Sequence, residues 1–237
     1  MRIVFLGRSG AGKTTMIASG LAELTTSLGL RVAVRDRQRL ARARRAVARG
    51  RRAPRTRGVP TSRAVTRSGA RLDCTDHDGR LLDRPVPDDR MAAALAVCEA
   101  LVLVVDATTL TEHVAPARVA RLAVEVRRRV HALERDPRPV RLPVVLALTH
   151  TDRLPAADVR SATALFDPIR AAAGGRIAGI TLPVSAAEPE RCALPLLWCM
   201  RHERADPLVE AALIDVWPSG VAHPWTGAAQ ARFGVAS

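Results

Sequence analysis

The stretch that decides the fold is GRSGAGKT, Gly7 to Thr14. It lies between an apolar run, Arg2 to Leu6, and a segment in which Ile17, Leu21, Leu24 and Leu28 recur at helical spacing. The eight residues match G-x-x-x-x-G-K-[ST] in full, with a strand before and a helix after as the motif requires. Its glycines let the backbone curl around a phosphate, so that successive N–H groups and the helix N-terminus face anionic oxygens. Lys13 is the single lysine in a chain with 37 lysines and arginines together. The planar head of an arginine is too bulky for a loop wrapped around a phosphate chain, whereas an ammonium is a compact, mobile charge. The motif therefore assigns Lys13 to the β- and γ-phosphates of a nucleotide and the Thr14 hydroxyl to Mg²⁺. Gly7, Arg8, Ser9, Gly10, Ala11, Gly12 and Thr15 complete the cradle.

Working outward, the chain has 237 residues of which 48% are hydrophobic, enough for one large α/β domain. Tyrosine is absent and aromatics make up 3%, so the core must be built from Leu, Val, Ile and Ala. Cys74, Cys98, Cys192 and Cys199 show no metal-ligand spacing and read as small core hydrophobes. The six histidines form no ligand cluster, so no metal beyond nucleotide-bound Mg²⁺ is expected. Arg2 and Ile3 already belong to the first strand, and no apolar run approaches a membrane span; the expectation is a cytoplasmic chain. The formal net charge of +14 admits nucleic acid or an anionic surface as a partner, although the near-total use of Arg for Lys suggests a genome-wide coding bias that also inflates the charge.

Alternation sets the architecture. Val32 to Val34, Ala70 to Thr75, Ala100 to Val105, Leu142 to Leu148 and Ile180 to Val184 read as strands. Met91 to Glu99, Pro116 to Glu134, Arg160 to Ala173 and much of 191 to 215 read as helices. Asp78-Gly79 is a hairpin signal, which places a further strand at Arg80 to Leu82. Strands separated by helices predict a three-layer α/β fold: a doubly wound, mostly parallel sheet of the P-loop NTPase kind with helices on both faces. One domain over 1–215, with an Arg-rich insert at 35–69, and a flexible tail over 216–237 complete the expected organisation.

Further along, LPVVLALTHTDRL ends a strand in Thr149-His150-Thr151-Asp152, and ITLPVSAAE ends another in Ser185-Ala186. Here the chain resembles the P-loop GTPases of the translation-factor and Ras-like class, whose guanine motif is [N/T]KxD with an SA dipeptide after the following strand. The resemblance implies that Asp152 accepts hydrogen bonds from guanine N1–H and the exocyclic amine. Ser185 and Ala186 would offer backbone to the guanine carbonyl. His150 stands where the family has Lys, and its imidazole could lie over the base in place of the lysine stem. Asp106, closing LVLVVD, reads as a capping acid for Thr108 and Thr109 rather than a Mg²⁺ ligand.

The resemblance also calls for a switch threonine on Mg²⁺ and a D-x-x-G segment whose glycine senses the γ-phosphate. Thr56 and Thr61 both qualify, and the sequence does not choose between them. Asp76-His77-Asp78-Gly79 fits D-x-x-G by letters but reads as the hairpin turn. Asp83 in LLDRPVPDD is the acid assigned to the metal, and Val86 then replaces the glycine, so slow hydrolysis is expected. The Arg-rich helix ending in ARRAVARGRRAPRT resembles GTPase domains of bacterial conflict systems of the double-GTPase type. Eleven of the residues from Arg35 to Arg57 are arginine. They admit nucleic acid, but a solvated charged face is the favoured reading. The expected activity is a GTP-hydrolysing switch that binds GTP or GDP with Mg²⁺ and works with a protein partner. A binding module without turnover and a P-loop ATPase are the alternatives.

Overall fold

A computed structural model describes residues 1–49, 60–77, 89–109, 141–153, 171, 177–185, 188–203 and 206–217. Thr56, Asp83, Val86, Ala186, the Asp78-Gly79 turn, the strand expected at 80–82, the helix expected at 116–134 and the tail beyond Trp217 lie outside the described residues. So does the helix expected at 160–173, apart from residue 171.

The described strands are β1 (Arg2–Leu6), β2 (Arg31–Val32), β3 (Thr61–Val65), β4 (Arg71–Asp76), β5 (Ala100–Asp106), β6 (Leu142–Thr149) and β7 (Ile177–Val184). The helices are α1 (Lys13–Ser27), α2 (Val34–Ala48), α3 (Asp89–Ala96), α4 (Leu194–Glu203) and α5 (Pro207–Asp215). The strands form one sheet in the order β2-β3-β4-β1-β5-β6-β7, in which β4, β1, β5, β6 and β7 run parallel and β2 and β3 pair antiparallel. Moving outward from β1 in opposite directions along the chain is the doubly wound pattern, which places a crevice at the carboxyl ends of the central strands.

Both faces of the central strands β1, β5 and β6 are apolar, as buried parallel strands require. Ile3 and Phe5 join Val102, Val104, Val145 and Ala147 in one cluster with Ile17, Leu21 and Leu24 of α1 and Leu196 and Leu197 of α4. Val4, Leu6, Leu101, Leu103, Val144 and Leu146 alternate with these and are buried on the opposite face. The four cysteines are buried, Cys74, Cys192 and Cys199 in the α1-side cluster. The segment from 191 to 215 resolves into two helices: Pro207 opens α5, capped by Asp206, whose carboxylate accepts the Leu208 N–H at 2.9 Å. Val216 and Trp217, assigned to the tail, pack against the core.

The region expected as an Arg-rich insert contributes a strand the sequence reading lacks. β3 pairs with β4 through a turn at Thr66–Ala70, where Gly69 has φ 83°. A hairpin thus precedes β4, ahead of the Asp78-Gly79 pair, which lies outside the described residues. Asp76 is not a turn residue: it ends β4, and the parallel ladder to β1 continues past it with the His77 N–H on the Phe5 carbonyl at 3.2 Å. α2 docks through Asp36, a buried acid whose Oδ2 accepts the Arg63 N–H of β3 at 3.0 Å. Next to it Arg39 donates to the Ser62 hydroxyl at 2.7 Å, and the Ala33 N–H donates to the Arg63 carbonyl at 2.8 Å.

Candidate nucleotide site

The Gly7–Thr14 loop runs from the end of β1 into the first residues of α1. Its path depends on two close approaches. A Cβ on Gly7 would fall 2.2 Å from the Val104 carbonyl oxygen of β5, so only glycine lets the chain leave the sheet there. Gly12, which precedes α1, has φ 90°, a left-handed conformation that glycine adopts without steric cost. The N-cap residue of α1 is Gly12, which has no side chain to cap the helix's leading N–H groups. Lys13 is buried, and its Nζ donates to the Gly7 carbonyl at 2.7 Å and the Arg8 carbonyl at 2.9 Å. The ammonium is therefore held inside the loop by the loop's own backbone, where the motif places the phosphates.

The Thr14 hydroxyl donates to Asp76 Oδ2 at 2.5 Å. Asp76 is 2% exposed and sits on the α1 face of β4, in phase with Leu72 and Cys74. A hydroxyl and a carboxylate at the mouth of a phosphate loop are the hard oxygen donors that Mg²⁺ takes, so the residues present fit that ion. The sequence reading names Asp83 for the metal, which lies outside the described residues, and reads Asp76 as part of the turn at Asp78-Gly79. Thr61 is not brought there. It begins β3 on the opposite face, since its neighbours Ser62 and Ala64 are the buried ones, and its hydroxyl meets that of Thr75 at 3.2 Å.

At the other end of the crevice, Thr149 closes β6 in register with Val184 of β7 and Asp106 of β5. Its hydroxyl donates to the Ala11 carbonyl of the loop at 2.8 Å and lies 3.2 Å from the Val105 carbonyl. Its methyl group lies 3.5 Å from where a Cβ on Gly12 would stand. Thr149 thus ties the expected base-binding strand to the phosphate loop. His150 follows with φ 58°, the one non-glycine residue in the left-handed region among the described residues, and its imidazole Nε2 is 4.0 Å from Asp106 Oδ2. Such backbone outliers cost about 1–3 kcal/mol and cluster where ligands are held. Asp152 lies in the single helical turn Thr151–Arg153 that starts immediately afterwards. Ser185, buried after β7, accepts the Glu188 N–H on its carbonyl at 3.2 Å. Asp106 Oδ1 accepts both the N–H and the hydroxyl of Thr108, at 3.0 and 2.6 Å, which is the capping role read from the sequence.

The chain is similar to the Trypanosoma brucei Arl6 (BBS3) small GTPase, solved with the bound nucleotide analogue GppNp. The TM-score is 0.55 at 13% identity, over 87% of this chain and 99% of that one. The fold is that of the P-loop GTPases. A second likeness is to the S. cerevisiae Ski7 GTPase-like domain bound to GTP, with a TM-score of 0.51 at 12% identity over 78% of this chain and 42% of that one. The sequence matches no family model, and no match to a curated protein was found. On the P-loop GTPase fold, the loop at Gly7–Thr14, Asp76, Thr149 and Ser185 all stand at the carboxyl ends of parallel strands, where open α/β sheets bind ligands. Among the described residues no helix is long and apolar enough to cross a membrane.

Proposed function

We propose that the chain binds a guanine nucleotide with Mg²⁺ and acts as a nucleotide-dependent switch that hydrolyses GTP. The observation that carries this reading is the 2.5 Å contact between the Thr14 hydroxyl and Asp76. It joins the phosphate loop to the acid at the end of the neighbouring parallel strand. Bound Mg²⁺ would neutralise charge on the phosphate oxygens. Lys13 would exchange its two loop carbonyls for phosphate oxygens without leaving the loop. Counted from Asp76, D-x-x-G ends at Gly79. On this reading Gly79 is the switch glycine, and Val86 would not slow hydrolysis.

Guanine preference rests on Thr149, His150, Asp152 and Ser185, gathered by β6 and β7. Isothermal titration of the nucleotide-free chain with GDP, GTP, ADP and ATP in Mg²⁺, followed by phosphate release, tests the reading. Guanine nucleotides should bind, Asp152→Ala should remove the preference for guanine over adenine, and Asp76→Ala should abolish phosphate release while Asp83→Ala leaves it intact. ATP binding that ignores Asp152→Ala, with phosphate released from ATP, would establish an ATPase instead.

A further inference from the structure

Independently of the nucleotide site, α2 and the residue after it carry seven arginines and one acid, Asp36. Asp36, Leu40 and Ala43 are the buried positions, and the Asp36 carboxylate is turned onto β3. The only negative charge of the helix therefore faces inward. At about 100° per residue, the outward half of the helix has Arg45 at its crest with Gln38 and Ala41 on either side, all exposed. Arg35, Arg42 and Arg49 form one exposed flank at heptad spacing, Arg37 and Arg44 the other, with Arg45 between them. Among the described residues Arg35, Arg42, Arg44, Arg45 and Arg49 make no ion pair.

We propose that this face docks in the major groove of double-helical DNA. The crest, with Arg45 between Gln38 and Ala41, enters the groove, and the two rows of guanidinium groups reach the phosphates on either wall. A helix about 10–12 Å across fits a groove about 12 Å wide, and guanidinium groups pair bidentately with phosphate. The major groove of an RNA duplex is too narrow to admit a helix. No aromatic residue lies on α2 to stack unpaired bases. A lipid surface would need outward apolar side chains, and α2 offers only Val34, 74% exposed at its first turn.

The test is fluorescence anisotropy of a fluorescein-labelled B-form DNA duplex titrated with the full chain at increasing KCl. Contacts from about six arginines give log Kobs against log[salt] a slope of about −5, and a loss of about 1000-fold in affinity between 50 and 200 mM salt. The triple variant R35Q/R42Q/R49Q should reduce that slope by about 3. So should R42Q/R44Q/R45Q, whose side chains make no hydrogen bond or ion pair among the described residues and so leave the fold intact. R2Q/R67Q/R71Q removes the same charge from exposed positions at the amino ends of β1 and β4, and should leave the slope unchanged. Equal losses in the three variants would reduce the effect to bulk charge and overturn the proposal. So would a slope insensitive to all three, or tighter binding to duplex RNA or to phosphatidylserine vesicles than to DNA.

Discussion

Replacing Thr149 by Val tests whether β6 positions the phosphate loop. The substitution preserves shape at a site 6% exposed, and a Val Cγ remains to pack against Gly12. What it removes is one hydroxyl hydrogen, shared between the Ala11 carbonyl at 2.8 Å and the Val105 carbonyl at 3.2 Å. Because a hydroxyl has a single proton, one hydrogen bond is lost, not two. A buried acceptor left unsatisfied costs about 1–3 kcal/mol, and the extra buried methyl returns up to about 0.8 kcal/mol. The expected net loss is about 1–2 kcal/mol, or about 2–8 °C in Tm for a chain of this size. If the same bond holds the loop in its binding shape, part of that energy reappears as weaker nucleotide binding, at tenfold in Kd for each 1.4 kcal/mol. Thermal unfolding and GDP titration of the two proteins, run side by side, read both quantities. A drop in Tm with GDP affinity unchanged within about twofold would refute the reasoning: the bond would then be only a structural tie. Unchanged values for both would remove the bond from the account.

Lys13→Arg should bind nucleotide as poorly as Lys13→Ala, because the guanidinium does not fit where the ammonium bonds the Gly7 and Arg8 carbonyls; titration of both variants checks it. Gly7→Ala should fail to bind nucleotide and should unfold several degrees lower, since its methyl would overlap the Val104 carbonyl. All four cysteines are buried, and burial pushes the Cys192 thiol up to about 12 and raises those of Cys74 and Cys199 well above the ordinary range. Ellman's reagent at pH 8 should therefore find none of the four in the native chain and all four after denaturation; prompt reaction of any one would place it at the surface.

The P-loop was legible because it is local: a strand, a glycine turn and a helix follow one another, and the motif needs no other part of the chain. β5 and β6 were legible for a related reason, being continuous apolar runs that only a doubly covered sheet can bury. β3 was not. Its sequence, TSRAV, buries only Ser62 and Ala64, so alternation of polarity is too faint to mark a strand, and what stabilises it is pairing with β2 and β4 and the Asp36 contact from α2. Without β3 in view, the Asp78-Gly79 pair draws Asp76 into a turn, whereas Asp76 ends β4. The Ser68-Gly69 pair between two short runs was the signal that would have corrected this. Which strand neighbours β1 is a tertiary fact, and it alone brings Asp76 to Thr14 across 62 residues of sequence.

The Asp36 contact has a consequence for how the protein behaves in a crowd. β2 pairs with β3 only at Arg31↔Val65 and Val32↔Ala64, so an edge this short would leave the rest of β3 open to recruitment by a second molecule. The next N–H along, that of Arg63, is taken by a carboxylate, and the Arg63 carbonyl by the Ala33 N–H at the entrance to α2. A strand arriving from solvent would have to displace a buried acid before forming its first backbone bond, so one side chain from a helix closes this margin of the sheet against self-association.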